Sequence, residues 1–207
     1  MKIYYLETTN PRKVCALAKH LQLPVEYERV DLFKGEHYGE AFAAINPNRK
    51  VPVLVDGETT IVESSAIMMH LANAAASDLW PDLPAEQVQV IQWLSWDSAH
   101  LSRHASVVYY EHSVRAQASL GPPNLEDVEE AVKFFRRFAG TLDEHLATRP
   151  YLVADRLTIA DFGVACVMTV ARESNLEQLP VLEFPHVCAW LDRLAELAAW
   201  RDPWPDD

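Results

Sequence analysis

The sequence predicts a small α/β domain, with its elements in βαβ then ββα order, followed by an all-helical domain. Three observations predict it. Short runs rich in β-branched and aromatic residues alternate with helix-period segments over residues 1–76. A proline-punctuated stretch, Trp80-Pro81-Asp82-Leu83-Pro84, then breaks the pattern. Beyond Ala85 the apolar period is helical throughout, interrupted at Gly121-Pro122-Pro123, Arg149-Pro150, Leu179-Pro180 and Phe184-Pro185. The domains expected are residues 1–77 and residues 86–207.

Residues 2–6 alternate and form the first strand. Asn10 is a favoured N-cap and Pro11 a favoured first helical residue, after which Val14, Leu17, Ala18 and Leu21 repeat at helical spacing. Pro24 closes that helix, and residues 25–30 form a second strand, parallel to the first because a helix crosses between them. A loop and short helix over residues 33–44 lead to Asn46-Pro47-Asn48-Arg49-Lys50-Val51-Pro52-Val53-Leu54-Val55-Asp56-Gly57. An apolar run ending in Asp-Gly is a strong hairpin signal, so this segment is a strand and a tight turn, with a second strand through Ile61 and Val62. Helical periodicity resumes at Ala66 with Ile67, Met68 and Leu71, which places Ser64 or Ser65 at an N-cap. In the second domain, Thr158-x-x-Asp161 is a capping box with Leu157 and Phe162 as its staple, opening a buried central helix over residues 159–172.

Pro52 has no N–H for a ladder and accepts a cis bond readily, so an edge strand entered through cis Val51-Pro52 is expected. That bond would turn the Val51 N–H and C=O outward, to pair with the backbone of a small peptide. The helix start at Glu63-Ser64-Ser65 offers free N–H groups to a carboxylate. The net charge of −12 argues against nucleic acids and anionic membranes as partners. Residues 1–76 hold 8 Lys and Arg against 9 Asp and Glu, leaving 10 against 21 for the remainder. An anionic ligand is therefore expected near Arg12, Lys13, Lys34, Arg49 and Lys50. Glu7 interrupts the first apolar run too early for a secretory signal, and no run approaches the ~20 residues of a membrane span. The three cysteines, Cys15, Cys166 and Cys188, are scattered and odd in number. A cytoplasmic protein with reduced thiols is expected.

Together the Val51-Pro52 and Glu63-Ser64 elements, the segment Leu32-Phe33-Lys34-Gly35-Glu36-His37 before Asn46-Pro47, and Leu157-Thr158-Ile159-Ala160-Asp161-Phe162 resemble the cytosolic glutathione transferase superfamily, its theta-type and bacterial nu-type members especially. The resemblance implies a thioredoxin-like N-terminal domain and an all-α C-terminal bundle shaping the electrophile pocket. It also implies a homodimer, and a glutathione S-transferase taking glutathione as co-substrate and a small hydrophobic electrophile or disulfide as second substrate. Theta-type enzymes place a serine four residues before an arginine. Thr8 stands four before Arg12 here and is the residue that matches, as the donor favouring the thiolate. The alternative is that residues 8–10 only end a strand and cap a helix. Asn10 resembles an asparagine used beside a threonine in nu-type enzymes, Thr9 lies among the glutathione contacts, and Tyr5 is a lesser alternative donor. By the same resemblance Val51, preceding Pro52, binds the cysteinyl backbone. Glu63 and Ser64 hold the γ-glutamyl end, and Lys50 and His37 meet the glycyl carboxylate.

In the second domain, Trp93, Trp96, His100 and His104 recur on adjacent helical turns. The His pair has metal-ligand spacing but no evident third ligand, so no metal is expected; the segment is either an aromatic-lined pocket wall or dimer and core packing, and packing is the leading reading for Trp93 and Trp96. The tail Trp200-Arg201-Asp202-Pro203-Trp204-Pro205 either folds back over the pocket or is an exposed end. Two rivals remain: glutathione-dependent disulfide reduction, which Asn10 favours, and a non-catalytic protein-contact module of the kind found in translation factors.

Overall fold

The structure, a computed structural model, describes residues 1–174 and 176–205. It divides into two compact units, Met1–Trp80 with the segment from Ala195 onward, and Pro81–Leu194.

The first unit is built on four strands, β1 (Lys2–Tyr5), β2 (Glu26–Arg29), β3 (Val53–Asp56) and β4 (Thr59–Val62), in the spatial order β2-β1-β3-β4. β1 and β2 are parallel, joined by α1 (Thr9–His20), as a right-handed crossover requires. β3 runs antiparallel to both β1 and β4, so it is an interior strand and not the expected edge strand; Pro52 is tolerated because it precedes the first paired residue, Val53. This is the thioredoxin-like βαβ then ββα arrangement, with a short 3₁₀ turn (Glu36–Tyr38) and α2 (Glu40–Ile45) between the halves and α3 (Ser64–Ala74) closing the unit. The hairpin loop is Gly57-Glu58, and Gly57 takes the positive φ of +59° that its first position needs.

Alternation along the strands divides the sheet into two faces. Tyr4 and Val53, opposite one another, pack with Val30 and Phe42 of α2 on one face. Ile3 and Leu54, also paired, are fully buried on the other, as are Val14 and Leu17 of α1 and Ile67 and Leu71 of α3. Each such aliphatic side chain contributes about 1.5–3 kcal/mol.

α1 differs from the expected helix. It begins two residues before Pro11, with Thr8 and not Asn10 in the N-cap position. The reason is that the first four helical N–H groups have no intrahelical acceptor, so a proline fits at the third position as well as at the first.

The second unit is helical. A continuous rod over residues 84–117 comprises α4 (Pro84–Trp96), α5 (Ser102–Tyr109) and α6 (Arg115–Gln117), joined by π-turns at Asp97–Leu101 and Tyr110–Val114. α7 (Leu125–Leu146) buries Val128, Ala131, Phe135, Ala139, Leu142 and Leu146 at helical spacing, and Asn124 caps it by accepting from the Glu126 N–H at 3.2 Å. α8 (Ile159–Glu173) is buried through nearly its whole length, as its apolar run predicts. A 3₁₀ turn (Val181–Glu183) and α9 (Pro185–Leu194) complete the unit, and α10 (Ala198–Arg201) belongs to the first.

The capping box of α8 centres on the fully buried Asp161. One carboxylate oxygen accepts from the Leu152 N–H and the Trp190 indole N–H, both at 3.0 Å. The other accepts from the Thr158 N–H at 2.8 Å and the Thr158 hydroxyl at 3.1 Å. The Thr158 Oγ1 accepts in return from the Asp161 N–H, which completes the box, and from the Ala160 N–H at 3.3 Å. Burial pushes this carboxyl up to about 6 despite its four donors. His100 and His104 lie flat on Phe138 and Phe134 of α7, with centroids 4.8 and 4.7 Å apart, so their spacing serves packing. Burial lowers the pKa of His104. Trp93 packs on Trp96 at 5.2 Å and on His145 at 4.6 Å.

Candidate active site

The strand registers gather the candidate residues. Tyr4 pairs with Val53, and Val53 with Val62. The chain leaving β1 toward Thr8, the Lys50-Val51-Pro52 entry to β3 and the Glu63-Ser64 exit from β4 therefore share one end of the sheet. β2, parallel to β1 and paired Arg29 to Tyr5, delivers the loop carrying His37 to that end too.

Thr8 lies at the start of α1 in an extended conformation (φ −134°, ψ 170°), half-buried, and its hydroxyl makes no capping bond. Instead Oγ1 donates to the Leu6 carbonyl at 3.3 Å, a long bond that a better acceptor can displace. Thr9 and Asn10 form the first helical positions, Asn10 exposed. Tyr5 is turned away from this loop, wedged between Tyr27 and Trp204 with ring centroids 6.0 Å from each.

The Val51-Pro52 peptide is cis, and Val51 enters no backbone hydrogen bond among the described residues. Its position is set by Asn46, a residue to which the sequence motif assigns no role. Asn46 is buried, donates from its amide to the Lys50 carbonyl at 2.8 Å and accepts from the Asn48 N–H at 3.0 Å. Asn is a favoured turn former for this reason, and that was the signal available in the sequence. Lys50 is exposed. Its neighbour Arg49 lies over the Tyr38 ring at 5.7 Å, and His37 packs on the same ring at 4.0 Å, so the 3₁₀ turn and the Lys50 loop meet through Tyr38. The His37 Nδ1 is buried with no hydrogen-bond partner.

Glu63, and neither serine, occupies the N-cap position of α3, with φ +69° and ψ 120°. Positive φ at a non-glycine residue costs on the order of 1 kcal/mol or more, and such strain concentrates where a backbone must present a ligand contact. Ser64 and Ser65 become the first two helical residues, their N–H groups lacking intrahelical acceptors.

The charge at these helix starts is informative. α7 and α8 carry acidic residues in their first turns, Glu126 and Asp127 in one and Asp161 in the other. α1 and α3 carry none in their first turns, the acidic residue nearest the start of α3 being Glu63 in the N-cap position. Two anion-favouring helix starts and an exposed lysine at one sheet end suit a small peptide with two carboxylates and a thiolate.

Two expected cations do not belong to this site. Arg12 and Lys13 are buried, and Arg12 donates to the Trp200 carbonyl at 3.1 Å. The charge of Arg12 is used in packing, because α1 turns that residue toward the C-terminal segment. The tail accordingly does not project as a free end, and it packs on α1 and β1. Cys15 is fully buried and its thiol is pushed up to about 12, so no protein thiolate competes with a bound one from this helix. Among the described residues no group of three or more His, Cys, Asp or Glu side chains is placed to hold a metal ion. No described helix is long and apolar enough to cross a membrane.

Residues 1–73 match the family described as glutathione S-transferase, N-terminal domain, and residues 102–198 the one described as glutathione S-transferase, C-terminal domain. The chain is 29% identical over 204 residues to glutathione S-transferase 3 of Zea mays, covering 97% of this chain and 91% of that protein. It is 27% identical over 212 aligned positions to glutathione S-transferase 1 of Manduca sexta, covering 97% and 90%. In fold it is similar to a glutathione transferase family member from Pseudomonas fluorescens solved with two glutathione bound, at 24% identity and a TM-score of 0.87, covering 98% and 91%.

Proposed function

We propose that in this chain, which belongs to the cytosolic glutathione transferase superfamily, the Thr8 hydroxyl activates the glutathione thiol for attack on a small electrophile. The protein is a glutathione transferase, and glutathione is its co-substrate. The observation carrying the residue assignment is the register that gathers Thr8, Lys50-Val51 and Glu63-Ser64 at one sheet end, beside two helices whose first turns carry no acidic residue.

A free thiol near pKa 8.5 is mostly protonated at neutral pH, and lowering that value by two units requires about 2.7 kcal/mol of preferential stabilisation of the thiolate. A hydrogen bond to a charged acceptor supplies about 1.5–3 kcal/mol, and a helix start about 0.3–1 kcal/mol more. Thr8 therefore redirects its hydroxyl hydrogen bond from the Leu6 carbonyl to the sulfur, keeping its own proton, and the proton lost by the thiol leaves to solvent. The start of α1, with Thr9 and Asn10, adds the dipole, and Asn10 offers a side-chain amide beside it. Val51, held by Asn46 and preceding cis Pro52, pairs with the cysteinyl backbone. Ser64 donates to the γ-glutamyl carboxylate, the Glu63 carboxylate takes the ammonium, and Lys50 with His37 meets the glycyl carboxylate.

Residues 1–77 are read as the glutathione-binding domain and residues 86–207 as the domain that selects a small hydrophobic electrophile. A homodimer belongs to the same reading, supported by Val88 and Ile91, apolar, exposed and three residues apart on α4. So does a detoxifying role in the cytoplasm, where the thiols of Cys15, Cys166 and Cys188 stay reduced.

Calorimetric titration with reduced and oxidised glutathione tests the reading. Tighter binding of the reduced form, with turnover of an aryl halide, supports it. Preference for the oxidised form would replace conjugation with disulfide reduction.

A further inference from the structure

We propose that the C-terminal segment over residues 198–204 is a strap that fixes the thiol-activating loop, and that Arg12 is its positioning residue. The inference rests on the assignment of Thr8 above. The strap touches the two elements on either side of Thr8. On α1, Arg12 donates from Nη2 to the Trp200 carbonyl at 3.1 Å, and its guanidinium lies 5.8 Å over the indole of the same residue. Seven residues along, on the same face of the helix, Lys19 donates to the Asp202 carboxylate at 2.9 Å and to the Trp204 carbonyl at 3.0 Å. On β1, the Trp204 ring stacks on Tyr5 at 6.0 Å with an interplanar angle of 21°.

Only Leu6 and Glu7 separate Tyr5 from Thr8. On the other side, the Arg12 N–H donates to the Thr8 carbonyl at 3.0 Å, the first backbone bond of α1. The residue that hooks the strap is thus the residue whose amide holds Thr8. Trp200 is almost wholly buried, so the hook is a packed joint and not a surface contact. A hydroxyl that must donate to a sulfur at a fixed distance loses most of its value when its backbone shifts by an ångström. Strap and Arg12 therefore act on thiol ionisation, through Thr8, more than on the contacts at the two ends of glutathione.

The test reads the apparent pKa of bound glutathione from thiolate absorbance against pH, beside the Kd for S-methylglutathione, which has no thiol to ionise. The variants are Arg12→Met, Trp204→Ala and Thr8→Val in the full chain. Trp204→Ala removes the outer end of the strap without emptying the Trp200 site, so it reports even if Arg12→Met fails to fold. Arg12→Met and Trp204→Ala are expected to raise the thiol pKa by about half a unit to one unit, a three- to tenfold loss of thiolate at neutral pH, with the S-methylglutathione Kd changed less than about twofold. Adding Trp204→Ala to Thr8→Val is expected to raise it no further. A lower melting temperature with an unmoved thiol pKa in both strap variants overturns the proposal and leaves the Thr8 assignment standing. An unmoved pKa in Thr8→Val overturns both.

Discussion

Val62 of β4 lies directly opposite Val53 of β3. One residue beyond Val62 is Glu63, at the strained start of α3, and two residues before Val53 is Val51, ahead of the cis bond. A pairing of two aliphatic residues in the sheet thus sets the span between the backbone clamp and the helix start that would hold the two halves of a γ-glutamyl dipeptide. The hydrophobic pattern fixes that register, because a slip of one residue would turn Val53 and Leu54 to the wrong faces.

Ser64 stands at the first position of α3 with its hydroxyl and N–H near the helix start. Ser64→Ala removes a donor to a carboxylate and is expected to weaken glutathione by ~1.5–3 kcal/mol, roughly ten- to a hundredfold in Kd. Calorimetric titration checks it, and an unchanged constant would place the γ-glutamyl end elsewhere.

Lys50 is exposed and acts as a point charge, so its contribution is modest. Lys50→Ala is expected to raise the Kd for glutathione roughly two- to fivefold and to leave the Kd for the glycine-amide analogue almost unchanged. Equal losses for both ligands would mean that the lysine meets no carboxylate. Because Asn46 holds the Lys50 carbonyl, the loop geometry survives the substitution.

Asp161 makes stability depend on pH. Its pKa is raised to about 6 by burial, so the folded chain keeps this proton where the unfolded chain has released it. The stability that the proton provides is complete below the ordinary carboxylate value and is lost as pH rises through about 6. In Asp161→Asn the titration is absent. Denaturant unfolding at about pH 5 and about pH 7.5 is expected to show the gap between wild type and variant narrowing by on the order of 1 kcal/mol. A constant gap would show that Asp161 is ionised in the folded chain across that range.

Much of the fold was legible because its signals are local. Alternation marked the strands, Asp56-Gly57 marked the hairpin, and Thr158-x-x-Asp161 marked the start of α8. The cis bond before Pro52 was likewise written in the residue type. The start of α1 was misplaced because Pro11 is compatible with any position in a first helical turn. The role of Arg12 was not legible, since its partner Trp200 lies 188 residues away and nothing in a short window distinguishes a hooking arginine from a ligand-binding one. The π-turns at Asp97–Leu101 and Tyr110–Val114 escaped for a related reason. One inserted residue per turn leaves the composition helical while rotating the face that follows. At the site itself, the motif singled out Val51 as the backbone proposed to meet the peptide, while the part played by Asn46 in holding that backbone needed the hydrogen bonds.

The most direct test of the account is the apparent pKa of the glutathione thiol bound to wild type and to Thr8→Val. The wild-type value is expected well below the ~8.5 of a free thiol, raised by about one to two units in the variant, with turnover at neutral pH falling about ten- to a hundredfold while glutathione still binds. Identical thiol pKa values in the two proteins would contradict it and move the donor to Asn10 or Thr9.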